Sequence, residues 1–368
     1  MPEIQEHDLI NLYSDTQTLP TDRMREAMHF AQVGDDTYRT DPTVQRLERL
    51  AADKVGMEAA LFCPSGHMAN LIATMVHCRH GDEIIVEATA HMYYYESGSM
   101  SAVAGVIPRL VEGRHGIYDV GDVRPLLRPR DIHYPRTRML CVENSHNRGG
   151  GTVFPLATIH GLRQLAIEEG LRFHLDGARL FNAAFALEVE PSTIVAYFDS
   201  AMFCLSKGLS APIGSMLVGP GSFIDRALHC RKLLGGGMRQ LGVLAAAGIV
   251  ALEEMVDRLP IDHEHAKLLA AGLAEIPGCA VDLDTVQTNM VLLDVRGLGV
   301  DASEFAERLR ESEIIVCPRP PWRVRFVTHR HITKDNIFTV LDAVRSLSDT
   351  LLAKSGGHAR PGMQKGNA

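Results

Sequence analysis

The sequence predicts an α/β protein: a large domain on a mostly parallel sheet, followed by a smaller α+β domain. Three observations carry this reading. From about Ala59 onward, short apolar runs rich in β-branched residues alternate with helix-length segments. Those runs are apolar throughout, as strands covered on both faces are. With 368 residues, 46% of them hydrophobic, the chain can bury one large core and a second smaller one.

In chain order the strands are "AALFC", "DEIIVEA", "RMLCVEN", "LRFHLD", "AMFCLS" and "GSMLVG". Between them lie the helical patterns "MANLIATMVHCR", "IHGLRQLAIEEG" and "FIDRALHCRKLL". Ligands of such sheets bind beyond the carboxyl ends of the strands. A helical stretch over residues 240–273, broken or kinked at Pro260, leads away from this domain. Then "NMVLLDV", "IIVCP" and "VRFVTH", with two amphipathic helices, make the smaller domain. The expected boundaries are 1–253 for the large domain with its N-terminal segment, 254–352 for the small one, and 353–368 for a disordered tail, which is small, polar and unpatterned.

Composition narrows the partners. The net charge of −8 comes without any Lys/Arg block, so the footprint of a nucleic-acid binder is missing. The N-terminus is acidic and lacks the order of a secretory signal, and the longest apolar stretch, residues 241–252, is too short to span a bilayer. A cytoplasmic protein with a small-molecule substrate is expected. Seven cysteines without a C-x-x-C pair read as reduced core residues. The histidines show no H-x-x-x-H or H-E-x-x-H spacing on a clear helix, so no metal site is expected.

Four strand ends finish in polar groups that a purely structural sheet does not need. In "FCPSGHMANLI", Ser65, Gly66 and His67 open a helix whose free amides suit a phosphate. "LRFHLDGARL" ends in Asp176, a carboxylate that wants either Arg179 or a ligand's protonated nitrogen. "AMFCLSKG" ends in Lys207, and an amine forms a Schiff base only when neutral, a form that a dry strand end favours. Pyridoxal phosphate needs this set: a lysine for its aldehyde, an acid for its ring nitrogen and a helix N-terminus for its phosphate. The fourth end is Glu143 and Asn144, flanked by His133 and His146 in a plausible proton-transfer position. Upstream, "EATAHMYYYESGS" sets His91 where it can stack on a flat ring, with Glu96 beside it and three tyrosines that pack the core or an interface.

Together these segments resemble the L-threonine aldolases of the β-eliminating lyase group, within the aspartate-aminotransferase-like fold type I enzymes. The resemblance spans residues 11–329, and its most specific pieces are "LYSDTQTLPT", "VGDDTYRTDPTV", "HLDGARLFNA", "CLSKGLSAPIGS" and "RKLLGGGMRQ". It implies that Lys207 carries pyridoxal 5'-phosphate, Asp176 partners its ring nitrogen, His91 stacks on the ring, and the amides of Ser65, Gly66 and His67 hold the phosphate, with Arg179 also near the cofactor. Arg239 would reach the phosphate of a neighbouring subunit, which implies a homodimer or homotetramer with shared sites. Ser14, Arg179 and Arg325 would bind the substrate carboxylate, His133 would face its β-hydroxyl, and Tyr38 belongs to a loop closing near the cofactor. Two positions depart from the family pattern. His67 stands where a Thr is usual, and Arg39 follows Tyr38 where Gly is usual, an extra cation expected beside the entrance.

The implied reaction is retro-aldol cleavage of L-threonine, L-allo-threonine and other β-hydroxy-α-amino acids to glycine and an aldehyde such as acetaldehyde. His133, His91 or a water between them would take the hydroxyl proton. Alternatives are β-elimination or glycine transfer on the same scaffold, and a non-enzymatic ligand-binding protein that keeps the cofactor cradle.

Overall fold

In the computed structural model, described over residues 9–356, the first described element is a two-residue strand, β1 (Ile10–Asn11). Seven strands follow: β2 (Ala59–Cys63), β3 (Glu83–Glu87), β4 (Ile107–Val111), β5 (Thr137–Glu143), β6 (Arg172–Asp176), β7 (Ser200–Cys204) and β8 (Ser215–Gly219). They form one sheet in the order β2-β8-β7-β6-β5-β3-β4. β4, β3, β5, β6 and β7 pair in parallel, while β8 is antiparallel to both β7 and β2. Six strands thus share one direction and one carboxyl edge.

Side chains along the strands explain the apolar runs. In β2, β7 and β8, Phe62, Phe203 and Met216 pack with Val44, Leu47 and Ala245 on one face. Their neighbours Leu61, Met202 and Leu217 pack with Ile72, Phe223 and Ala227 on the other. Both faces are covered, so no position along these strands tolerates a polar residue facing water. β4 was not expected from the sequence, because Pro108 interrupts its apolar pattern. It lies at the sheet edge, the position where proline is tolerated.

The chain divides into two compact units, one being Asp15–Ile261 and the other the described residues up to Ser14 with those from Asp262 onward. The N-terminal segment, expected within residues 1–253, therefore groups with the C-terminal unit. β1 pairs in parallel with β11 (Ile314–Ile315), and Leu12 O accepts from Val327 N. That unit also holds β9 (Ala280–Val281), β10 (Met290–Asp294), β12 (Cys317–Arg319) and β13 (Arg323–Val327), antiparallel in the order β12-β13-β10-β9. Its own core gathers Leu12, Val291, Phe305, Phe326 and Ile337.

The helical stretch expected over residues 240–273 consists of two helices, Gly242–Glu254 and Leu259–Ala274. Pro260 sits in the first turn of the second, where its missing amide costs nothing, so the break precedes it. The last helix runs Lys334–Gly356, past the expected start of the tail at 353; the rest of that tail lies outside the described residues. Among the described residues, no helix is long and apolar enough to cross a membrane.

Two of the sequence motifs are clamped together inside the larger unit. Arg231, 1% exposed, donates to Asp36 Oδ2 at 2.7 Å and to Phe62 O at 2.8 Å. Asp36 N bonds Arg239 O, and Thr37 Oγ1 bonds Met238 O. A buried ion pair broken on one side strands a charge, so Arg231→Met is expected to cost about 3–5 kcal/mol. Urea unfolding measures it; a loss under about 1 kcal/mol would contradict the clamp.

Candidate active site

The carboxyl edge of the sheet collects the polar strand ends. Beyond β2, Ser65 caps helix Gly66–His77, its hydroxyl accepting from Met68 N at 3.2 Å. The amides of Gly66 and His67 stand in the first turn, where no helical carbonyl reaches them. A Cβ at position 66 would stand 2.7 Å from Met202 Cε and 3.1 Å from Cys204 Sγ, so glycine lets this turn lie against the sheet. The His67 ring turns to Ser99 Oγ at 2.8 Å, a contact a threonine cannot make at that reach.

Asp176 ends β6, buried. Its Oδ2 accepts from Asn70 Nδ2 at 2.9 Å and its Oδ1 from Ala178 N at 3.1 Å. Among the described residues it forms no ion pair. Of the two partners that the sequence left open, Arg179 is taken. The guanidinium binds Asp15 through both oxygens, at 2.7 and 2.6 Å. A buried carboxylate held by neutral donors, with no cation committed to it, is suited to receive a cationic ring nitrogen.

His91 follows β3 and is held twice. Its amide donates to Glu143 Oε2, and its Nδ1 meets Glu96 Oε1 at 2.9 Å. Burial opposes the imidazolium, but the Glu96 bond and the charges of Asp176 and Glu96 outweigh it, and the pKa of His91 stands above the usual histidine value. Lys207, half-buried beyond β7, is near enough for its charge to act on His91. Its carbonyl is anchored by Thr18 Oγ1 and Ser210 N, both at 2.8 Å.

The remaining expected residues each have partners of their own, and His146 lies 3.9 Å from Glu143, which also holds the His91 amide. His133 is on an exposed loop, with Nδ1 against Asp131 Oδ1 at 2.6 Å. His146 is fully buried against Glu87 at 3.0 Å. Arg239 is exposed, paired with Asp35 at 2.9 Å and lying beside the ring of Tyr38, itself 73% exposed. Arg325 and Ser14 are buried in the other unit, where Arg325 Nη2 donates to Tyr13 O at 3.1 Å. Tyr93, Tyr94 and Tyr95 are exposed, not core residues.

The extra cation expected beside the entrance has a counter-charge: Arg39, partly exposed, binds both oxygens of buried Glu48, which also accepts from Phe62 N. Its φ of 59° is the left-handed backbone for which glycine is usual. Sequence reasoning passed over Asn70 and the Asp15 carboxylate, and named Glu143 without foreseeing its bond to the His91 amide. The available signal for Asn70 was an amide inside the apolar helical run "MANLIATMV".

What suits this edge is a flat anionic group that offers an aldehyde to Lys207, a protonated nitrogen to Asp176 and a phosphate to the helix amides, which is pyridoxal 5'-phosphate. The fold and site thus define a pyridoxal-phosphate enzyme of fold type I. Residues 11–296 match the beta-eliminating lyase family, and the chain belongs to that family. It is 43% identical over 347 residues to low-specificity L-threonine aldolase 1 of Arabidopsis thaliana, covering 93% of this chain and 97% of that protein. It is 40% identical over 333 residues to low specificity L-threonine aldolase of Escherichia coli K12, covering 90% of this chain and 97% of that protein. The structure of a threonine aldolase from Leishmania major superposes with a TM-score of 0.81 at 18% identity, over 92% of this chain and 99% of that one.

Because the folded-state pKa of His91 is raised, the stability it contributes is complete below about 6.5 and is lost as pH rises through the folded value. NMR titration of cofactor-free protein is expected to place His91 above about 6.5, with Glu96→Gln lowering it. An unchanged value in the variant would contradict the pairing.

Proposed function

We propose that this lyase cleaves L-threonine, L-allo-threonine and related β-hydroxy-α-amino acids to glycine and an aldehyde. The observation that carries the reading is the meeting of Lys207, Asp176 and His91 at one sheet edge, in a chain 43% identical to a low-specificity L-threonine aldolase. When bound, pyridoxal phosphate supplies the electron sink for the bond broken at the substrate Cα.

The residues divide the remaining work. Lys207 would offer its Nζ to the cofactor aldehyde, the amides of Ser65, Gly66 and His67 would hold the phosphate, and Asp176 would pair with the ring nitrogen. Arg179, oriented by Asp15, presents its remaining guanidinium face to the substrate carboxylate. Holding the carboxylate selects which Cα bond stands ready to break. Glu96 occupies Nδ1 of His91 and leaves Nε2 to exchange the proton of the substrate hydroxyl. We assign that exchange to His91 rather than to His133, which is exposed and tied to Asp131.

The same reading includes a homodimer or homotetramer in the cytoplasm. Exposed Arg239, steadied by Asp35 beside exposed Tyr38, is suited to reach a neighbouring copy. All seven cysteines are free thiols, which fits a reducing compartment.

Cofactor-loaded protein given L-threonine and L-allo-threonine separately is expected to yield glycine and acetaldehyde from each, identified by chromatography. Formation of 2-oxobutyrate and ammonia instead would mean elimination on this scaffold and would overturn the assignment.

A further inference from the structure

Asn70 lies one turn into helix Gly66–His77, 1% exposed. Its amide nitrogen donates to Asp176 Oδ2 at 2.9 Å and to Glu96 Oε1 at 3.0 Å, so both hydrogens of one NH2 group are spent on two carboxylates. On its other side Asn70 Oδ1 meets His174 Nε2 at 3.2 Å. His174 Nδ1 meets Ser200 Oγ at 2.8 Å, and that hydroxyl meets His77 Nε2 at 2.7 Å.

The direction of each bond follows from the chemistry of its atoms. An amide oxygen only accepts, so His174 carries its proton on Nε2. Burial pushes His174 down to about 4 and His77 to about 2, so both rings are neutral and each has a single N–H. His174 Nδ1 therefore accepts from the Ser200 hydroxyl, whose oxygen accepts from His77 Nε2. Every donor in the chain points toward the sheet edge. Reversing the Asn70 amide would set its oxygen against two carboxylates and its hydrogens against the N–H of His174, so one orientation survives.

We infer that Asn70 is a positioning residue of the lyase site, its amide locked by His174 and Ser200 so that it presents Asp176 to the cofactor nitrogen and fixes Glu96, and through it His91, relative to Asp176. This rests on the cofactor assignment above. The reactive atoms of His91, Glu96 and Asp176 lie within 4.8 Å of one another, a spacing at which the two carboxylates repel unless donors stand between them. Asn70 supplies those donors without adding charge.

The test compares Asn70→Leu, His174→Phe and His174→Gln with wild type for cofactor dissociation constant, kcat, KM and melting temperature. Phe keeps a flat ring, somewhat larger than that of His174, and removes its donor; Gln places an N–H near the Nε2 position. Asn70→Leu and His174→Phe are expected to weaken cofactor binding roughly ten- to a hundredfold and to lower kcat, with KM for threonine within about twofold. His174→Gln is expected to recover most of that loss. Lower melting temperatures with wild-type cofactor affinity would assign the network a structural role only and overturn the proposal, as would equal behaviour of the Gln and Phe variants. If Asn70→Leu does not fold, the His174 pair decides alone. Cofactor affinity is read from visible absorbance without any amino acid. Wild-type protein that binds the cofactor but makes no glycine therefore overturns the reaction assigned above and leaves this inference standing, whereas protein that binds no cofactor overturns both.

Discussion

Parallel strands that must be buried on both faces are the constraint on which this molecule depends. Because six strands of the sheet run in one direction, the loops that follow β2, β3, β5, β6 and β7 emerge at one edge. Residues separated by more than a hundred positions, such as Asn70 and Asp176, are brought within hydrogen-bond reach by nothing more than strand order. The reversed strand β8 starts at the same edge, where Ser215 pairs with both Cys63 and Cys204. It lies in the sheet between the strand that leads to the Ser65 turn and the strand that leads to the Lys207 loop.

Charge at that edge is managed by neutral donors on one side and by paired ions on the other. Asp176 keeps amide partners and therefore its capacity for a cation, while Arg179 and Arg39 are each committed to a carboxylate. Asp15 and Glu48 perform the same task in different places. The first fixes a guanidinium that has further faces to offer, and the second ties a partly exposed arginine to a carboxylate that also accepts from a strand amide. A cation counted from the sequence is thus a poor guide to the field at the site until its partner is known.

The large sheet was legible because fully buried parallel strands read as unbroken apolar runs, and six of its seven strands announced themselves that way. β4 did not, since edge position permits Pro108 and an exposed Ile107. Lys207, Asp176 and the Ser65 turn stood out because polar groups at the ends of such runs break an otherwise apolar pattern. Asn70 was not, because a single amide within an apolar helix looks like a tolerated exception until its three partners, distant in sequence, are seen. The N-terminal segment was misplaced for a similar reason. A two-residue strand leaves almost no pattern, and its partner lies about 300 residues away at Ile314.

The central claim is that the strand-end amine at Lys207 is the cofactor's covalent anchor. Loading the protein with pyridoxal phosphate, reducing with borohydride and mapping the modified peptide by mass spectrometry tests it most directly. The account predicts a single pyridoxyl-lysine at Lys207. Label at another lysine such as Lys232, or no stable label in protein that has turned yellow, would contradict it.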